Sequence, residues 1–253
     1  DLADLRQMAS HMALLAGGDP IERASNPNLR HRRRGEHAIL RVRVDLNRAH
    51  PPIWRRLDLR SDLTLDAVHQ VLQTTYGWTD SHLHRFSIGG EPFDLAAEWF
   101  LCDYDAEEGE DDGTPDVEVH LDETLREPGD VVHYIYDYGD HWDLTIRLEE
   151  VLPLTKDAPL AGCVDGERAG PPDDCGSLRD AEDLADVLDD PAAFDPHELN
   201  EQLASPASGP IAWGVRPHPV PPLNRPRPPP LGARPPPPPP PTRHHPPPPP
   251  HPP

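Results

Sequence analysis

His82 and His84 stand two residues apart in a stretch of alternating character, a spacing that puts both imidazoles on one face of a strand. Much further along, Asp137-Tyr-Gly-Asp140-His141 gathers two carboxylates and a third imidazole around a turn. Histidine nitrogens and carboxylate oxygens are common ligands of divalent metals. If the two strands are neighbours, His82, His84, Asp137 and Asp140 converge on an ion that keeps a position open for water. The plainer reading makes Asp137 and Asp140 turn formers bonded to their own backbone and the histidines half-buried packing residues. No spacing here is of the short, fixed kind that marks a metal site. The packing reading is therefore taken forward, with no cofactor expected and a divalent metal as its alternative.

Trp54, Trp78 and Trp142 also admit two readings, an aromatic-lined groove or ordinary core, and core is preferred because such rings bury large areas in small domains. With Arg55, Tyr136, Tyr138, His82, His84, Asp137 and Asp140 they complete the candidate binding set, for a protein partner or small ligand of unspecified identity. Cys163 and Cys175 read as free thiols. From Asp103 to Asp112 seven of ten residues are acidic, yet they lack the spaced ligands of an EF-hand loop, so a mobile solvated loop is expected there. No G-x-S-x-G, H-E-x-x-H or G-x-x-x-x-G-K-[ST] occurs, so the common hydrolase and nucleotide signatures are missing.

Charge narrows the partners. The 45 acidic residues outnumber the 23 Lys and Arg, for a formal net charge of −22, which repels phosphate backbones and anionic lipid. Direct nucleic-acid binding is disfavoured, and so is catalytic recombination, which needs a basic surface around a scissile phosphate. The cluster Arg30, Arg32, Arg33 and Arg34 beside His31 is read as a solvated linker. No apolar run spans a bilayer, so no membrane association is expected. An odd count of three cysteines points to a reducing, cytoplasmic setting.

These side chains need a frame, and periodicity supplies it. Alternation predicts strands over residues 39–46, 53–59, 83–88 and 117–121, and a hairpin over 131–149 with Trp142, Leu144, Ile146 and Leu148 on its buried face. In the hairpin's first arm Tyr134, Tyr136 and Tyr138 share a face, and Gly139 is free to take a positive φ in the turn. Thr64, the apolar positions Leu65, Val68, Leu72 and Tyr76, and Gly77 mark a helix over 65–76. Residues 153–174 read as an irregular crossing, with short helices near 178–189 and 197–203 after it. The expected fold is α+β: one domain with a mainly antiparallel twisted sheet, one main covering helix and short C-terminal helices. Residues 1–37 form an N-terminal helix (2–15) and basic linker, 38–204 the domain, and 205–253 a tail. Of 37 prolines 24 lie from Pro206 onward, so the tail is expected to be disordered.

Several stretches are similar to one known family. Arg41-Val-Arg-Val-Asp-Leu46, Pro51-Pro-Ile-Trp-Arg-Arg56, Thr64-Leu65 with His69, Gly77-Trp78, His82-Leu-His-Arg-Phe86, Tyr136-Asp-Tyr-Gly-Asp-His-Trp142 and the run from Cys163 to Cys175 resemble the Ri-plasmid ORF-three-like family. The resemblance covers about residues 38–204. Gly170 stands where relatives often have cysteine, and Ser177 where they have glycine, which weakens any thiolate-metal idea. What the resemblance implies is an α+β domain and an accessory protein associated with plasmids and transposable elements. The leading functional expectation is a non-catalytic binding or interaction domain. Its alternative is a metal-dependent enzyme on His82, His84, Asp137 and Asp140.

Overall fold

Strict alternation makes Ala38–Leu46 (β1) and Ile53–Arg60 (β2) an antiparallel pair, with Leu40, Val42, Val44, Leu57 and Leu59 buried on one face. In the computed structural model, which describes residues 26–109 and 111–204, this pair lies toward one end of an eight-stranded sheet. The other strands are His84–Ile88 (β3), Glu98–Leu101 (β4), Thr114–Pro115 (β5), Val131–Tyr136 (β6), Trp142–Pro153 (β7) and Ala161–Glu167 (β8). The order is β5-β4-β3-β6-β7-β1-β2-β8, and every pairing is antiparallel except β4 with β5. The described residues thus form one α+β domain with an open sheet. The helix expected over 2–15 and the proline-rich tail lie outside them.

Between β2 and β3 the chain crosses the core face of the sheet as helix α1, Leu65–Tyr76. Leu65, Val68, Leu72 and Tyr76 recur at helical spacing and pack with the inner faces of β1, β2, β6 and β7. The helix stops where the sequence says it should. Gly77 takes the left-handed conformation at φ 75°, and its N–H and that of Trp78 donate to the carbonyls of Thr74 (3.3 Å) and Gln73 (2.9 Å). A Cβ at Gly77 would meet nothing within 4 Å, so the cost of Gly77→Ala is conformational alone. We expect a loss of about 1–2 kcal/mol in urea unfolding, and a smaller one for Gly77→Asn.

Four expectations about secondary structure need correction. Residues 117–121 are not a strand: Asp116–Glu118 form a 3₁₀ turn and Leu121–Thr124 a short helix, α3. Their backbone serves the start of α1, since the Val119 carbonyl accepts from the Leu65 N–H and the Leu121 N–H donates to Leu63. The acidic stretch is not all loop, because Asp103–Glu108 forms helix α2. The 153–174 crossing contains β8, an edge strand whose Cys163 backbone N–H and C=O bond the side chain of Asn200 at 2.7 and 2.8 Å. Asn200 lies on α5 (Pro196–Ala204), and the helix expected over 178–189 is only the turn Ala181–Leu184 (α4).

The basic segment is an ordered strap. Buried Glu98 accepts from the N–H groups of Leu29 and Arg30 and pairs with the Arg30 guanidinium at 2.7 Å. Buried Asp122 accepts from Arg33 Nε and the Arg34 N–H. Three of the four arginines are thereby committed to the domain's own contacts, Arg34 also through the Arg126 carbonyl.

Candidate functional site

Three of the stretches that carry the family resemblance meet at one end of the sheet: 77–84 between α1 and β3, the 137–142 turn of the β6–β7 hairpin, and the 171–177 loop. Indole Nε1 of Trp78 donates to the Pro171 carbonyl at 3.0 Å, and the Thr79 N–H and hydroxyl bond Asp173 Oδ2. Below them Trp78 stacks between Tyr76 and Tyr136, with ring centroids 4.8 and 5.0 Å apart, and faces Trp142 at 6.3 Å.

The hairpin turn takes its shape from Asp137, at φ 54°, and His141, at φ 62°, not from Gly139. Asp137 Oδ1 accepts from the N–H groups of Gly139 (2.9 Å) and Asp140 (3.3 Å), which is the turn-forming role foreseen for it. Its other oxygen, Oδ2, lies 3.6 Å from His82 Nε2. On the far side Asp174 Oδ1 lies 3.1 Å from the same nitrogen, which makes no hydrogen bond of good geometry to either carboxylate. His82, Asp137 and Asp174 each offer a donor atom, and these lie within 4.8 Å of one another. Asp140 turns away: its Oδ2 accepts from the Gly176 N–H, and its carbonyl accepts from Ser177 and Arg179.

The two histidines expected to act together are separated. His84 points into the core, 7% exposed, and its Nε2 is 2.8 Å from Asp116 Oδ2. Its ring stacks on that of His69 from α1, with centroids 3.5 Å apart and planes within 9°. His69 Nδ1 is 2.8 Å from the Tyr134 hydroxyl and Nε2 is 2.8 Å from Asp80 Oδ1, while Gln73 donates to Tyr134 at 3.2 Å. His69, Asp80 and His84 form a second group of donors within 4.8 Å. Burial raises the Asp116 carboxyl above the ordinary carboxylate range, against the pull of His84, and raises the Tyr134 phenol far above its own. The sequence marks His69 only by its place on the buried face of α1, one position after Val68.

The remaining candidates are dispersed. Trp54 lies on the outer face of β2 under the guanidinium of Arg43 (4.3 Å), with Nε1 donating to Glu167. Arg55, on the inner face and 2% exposed, stacks against Phe194 at 4.0 Å and donates to the carbonyls of Trp54 and Glu167, and desolvation lowers its pKa. Tyr136 is buried and accepts from the Ser81 N–H at 3.1 Å. Tyr138 leaves the tyrosine stack, because the positive φ at Asp137 turns it to the opposite side of the sheet. There its hydroxyl bonds Asp105 and the His84 carbonyl, and burial raises its pKa. Trp142 is fully buried. Among the described residues no helix is long and apolar enough to cross a membrane.

Comparison with known proteins gives the same frame. The family described as "plasmid pRiA4b ORF-3-like protein" matches residues 38–209. "Uncharacterized protein y4hQ" of Sinorhizobium fredii (strain NBRC 101917 / NGR234) is 30% identical over 158 residues, which cover 61% of this chain and 75% of that protein. Among solved structures, a protein of unknown function from Methanosarcina mazei Go1 superposes with a TM-score of 0.54 at 25% identity, over 64% of this chain and 96% of its own.

Proposed function

Because the chain belongs to the plasmid pRiA4b ORF-3-like family, and that membership brings a fold without a reaction, we propose from the site itself that this is a non-catalytic binding domain. Its recognition centre is a divalent cation held by His82, Asp137 and Asp174. The observation that carries this reading is the convergence of one imidazole nitrogen and two carboxylate oxygens within 4.8 Å, with the nitrogen poorly hydrogen-bonded. A donor set of two carboxylates and one imidazole suits a hard or borderline ion such as Mg²⁺ or Mn²⁺. Asp137 is nearly buried and fixed by its turn, whereas the Asp174 side chain is 75% exposed, so the ion would be anchored from below and open to solvent above. That open position is where an oxygen-bearing group of a small ligand or protein partner would dock. The net charge of −22 attracts the cation and disfavours nucleic acid as the docked partner.

The test is calorimetric titration of the chelator-stripped chain with Mn²⁺. We expect one ion per chain and, in Asp174→Asn, binding weakened by at least about tenfold, the lower end of what even an outer-shell change costs a metal site. Asp174 is exposed and sits at φ 55°, which Asn tolerates, so the fold should be unaffected. Wild type that takes up no Mn²⁺, or a variant that binds it equally well, would overturn the reading.

A further inference from the structure

An open cleft of about 340 Å³ lies among three segments: residues 34–38, which lead from the strap into β1, Arg126 just after α3, and residues 151–153 at the end of β7. We propose that this cleft binds a phosphate monoester with a small apolar body, its phosphoryl group held between Arg34 and Arg126. The proposal is independent of the cation reading above, with which it shares no residue.

The donors come first. The strap fixes Arg34 by its backbone, whose N–H donates to Asp122 at 3.1 Å. The guanidinium itself makes one hydrogen bond among the described residues, from Nη2 to the Arg126 carbonyl. Its Nε is shut off from water and has no hydrogen-bond partner among the described residues. A charged donor that has lost its water and gained no acceptor is costly, and an oxyanion in the cleft supplies the acceptor. Arg126 supplies the second cation. Its own N–H is fixed by Asp130 at 2.7 Å, while its Nη1 makes a long bond of 3.3 Å to the Arg32 carbonyl.

Charge points the same way. Among the titratable groups that line the cleft, two arginines and His37 face a single carboxylate, Glu36. Burial, and after it the neighbouring Arg126, hold the Arg34 pKa below its usual value, and Asp122, Asp130 and Glu127 do not make up the difference. A negative charge is what this pair lacks. The net −22 of the chain does not forbid one, because exposed charges beyond about 10 Å are screened at 0.1 M salt. A short anion therefore feels the arginines, whereas a long polyanion is still repelled. A carboxylate has two oxygens and fills one guanidinium fork. A phosphate monoester has three and serves both. Ala38, Val151, Leu152 and Pro153 give the cleft an apolar wall for the uncharged body, and its volume lies at the lower end of the range for small-molecule sites.

The experiment is calorimetric titration of the full chain with phenyl phosphate and, in a parallel arm, with benzoate. A chelator is kept present, so that no cation at Asp137 can hold the anion. We expect one phenyl phosphate per chain, bound more tightly than benzoate. Arg126→Gln should weaken it by about tenfold or more, the loss of one hydrogen bond between charged groups. Arg34→Lys should weaken it too, because an ammonium keeps the charge and loses the fork. Glu36→Gln should tighten it by about twofold to fivefold, as expected for removing one exposed like charge. Glu36 is exposed and makes no hydrogen bond or ion pair among the described residues, so this variant decides the matter where an arginine variant fails to fold. A wild-type chain that gives no saturable heat with phenyl phosphate, or that binds benzoate equally well, would overturn the proposal. So would folded arginine variants that bind as wild type does, or a Glu36→Gln chain that binds no more tightly.

Discussion

Trp142→Ala is expected to lower the stability of the domain by about 3–5 kcal/mol, the range for deleting a large aromatic from a close-packed core. The indole begins the inward face of β7, fully buried, with Trp78 at 6.3 Å and the guanidinium of Arg179 at 4.8 Å. It is held by packing alone, since its Nε1 has no hydrogen-bond partner among the described residues. That orphan donor makes the prediction sharper. Trp142→Phe removes the unsatisfied N–H while keeping most of the ring, so it should cost clearly less than Trp142→Ala. Arg179 keeps the carbonyls of Ser177, Asp140 and His141, and so continues to clamp the hairpin turn in both variants. Denaturant midpoints measured at unchanged m-value decide the matter. Equal losses for Phe and Ala would mean that the indole N–H finds a partner after all, and no loss in either would place Trp142 outside the core.

The central part of this fold could be read from the sequence because one-sided burial writes itself as alternation. β1, β2 and the second arm of the hairpin each bury one face and show the other to solvent, and the bounds expected for α1 coincide with those observed. The strands that escaped have other reasons to be strands. All four residues of Glu98–Leu101 are buried, because the strap at Asn26–Arg30 and helix α2 cover the second face, so no period-two signal survives. Ala161–Glu167 contains two glycines and no apolar repeat, and pairing with β2 together with the Asn200 clamp makes it a strand. The candidate site was half legible for a similar reason. His82 and Asp137 do meet, since β3 and β6 are neighbours and His84 pairs with Tyr136 in register. Their third companion, Asp174, comes from an irregular loop, and the companions of His84 come from α1, its following turn and the 3₁₀ turn. Tertiary packing alone unites such positions.

The other large effect is expected on the opposite side of the sheet. There Arg85 is 2% exposed and pairs through Nη2 with Asp105 (3.2 Å) and Asp111, while the rings of Trp99, Phe93 and Tyr138 surround its guanidinium at 4.7, 5.1 and 5.8 Å. Burial works to lower its pKa, but Tyr138, Asp111 and Asp105 outweigh it and the net shift is upward, so the cation is secure at any pH the fold survives. Arg85→Ala leaves two carboxylates facing an emptied aromatic cage and should destabilise by about 3–5 kcal/mol, as expected for breaking a buried ion pair from one side. Arg85→Met fills the cage with an apolar chain and should recover part of that, because Asp105 and Asp111 lie at its rim, 14% and 12% exposed, and can turn outward. The loss should also be local before it is global. Asp105 carries the Tyr138 hydroxyl, and Tyr138 in turn bonds the His84 carbonyl, so freeing α2 removes a support from the back of the hairpin turn. Limited proteolysis of Arg85→Met should therefore cut first within residues 103–112, with the Mn²⁺ affinity at Asp137 falling alongside. Cleavage that begins elsewhere would show that α2 is held by something other than Arg85. An unchanged Mn²⁺ affinity would show that the turn keeps its geometry through Arg179 and the 171–177 loop alone.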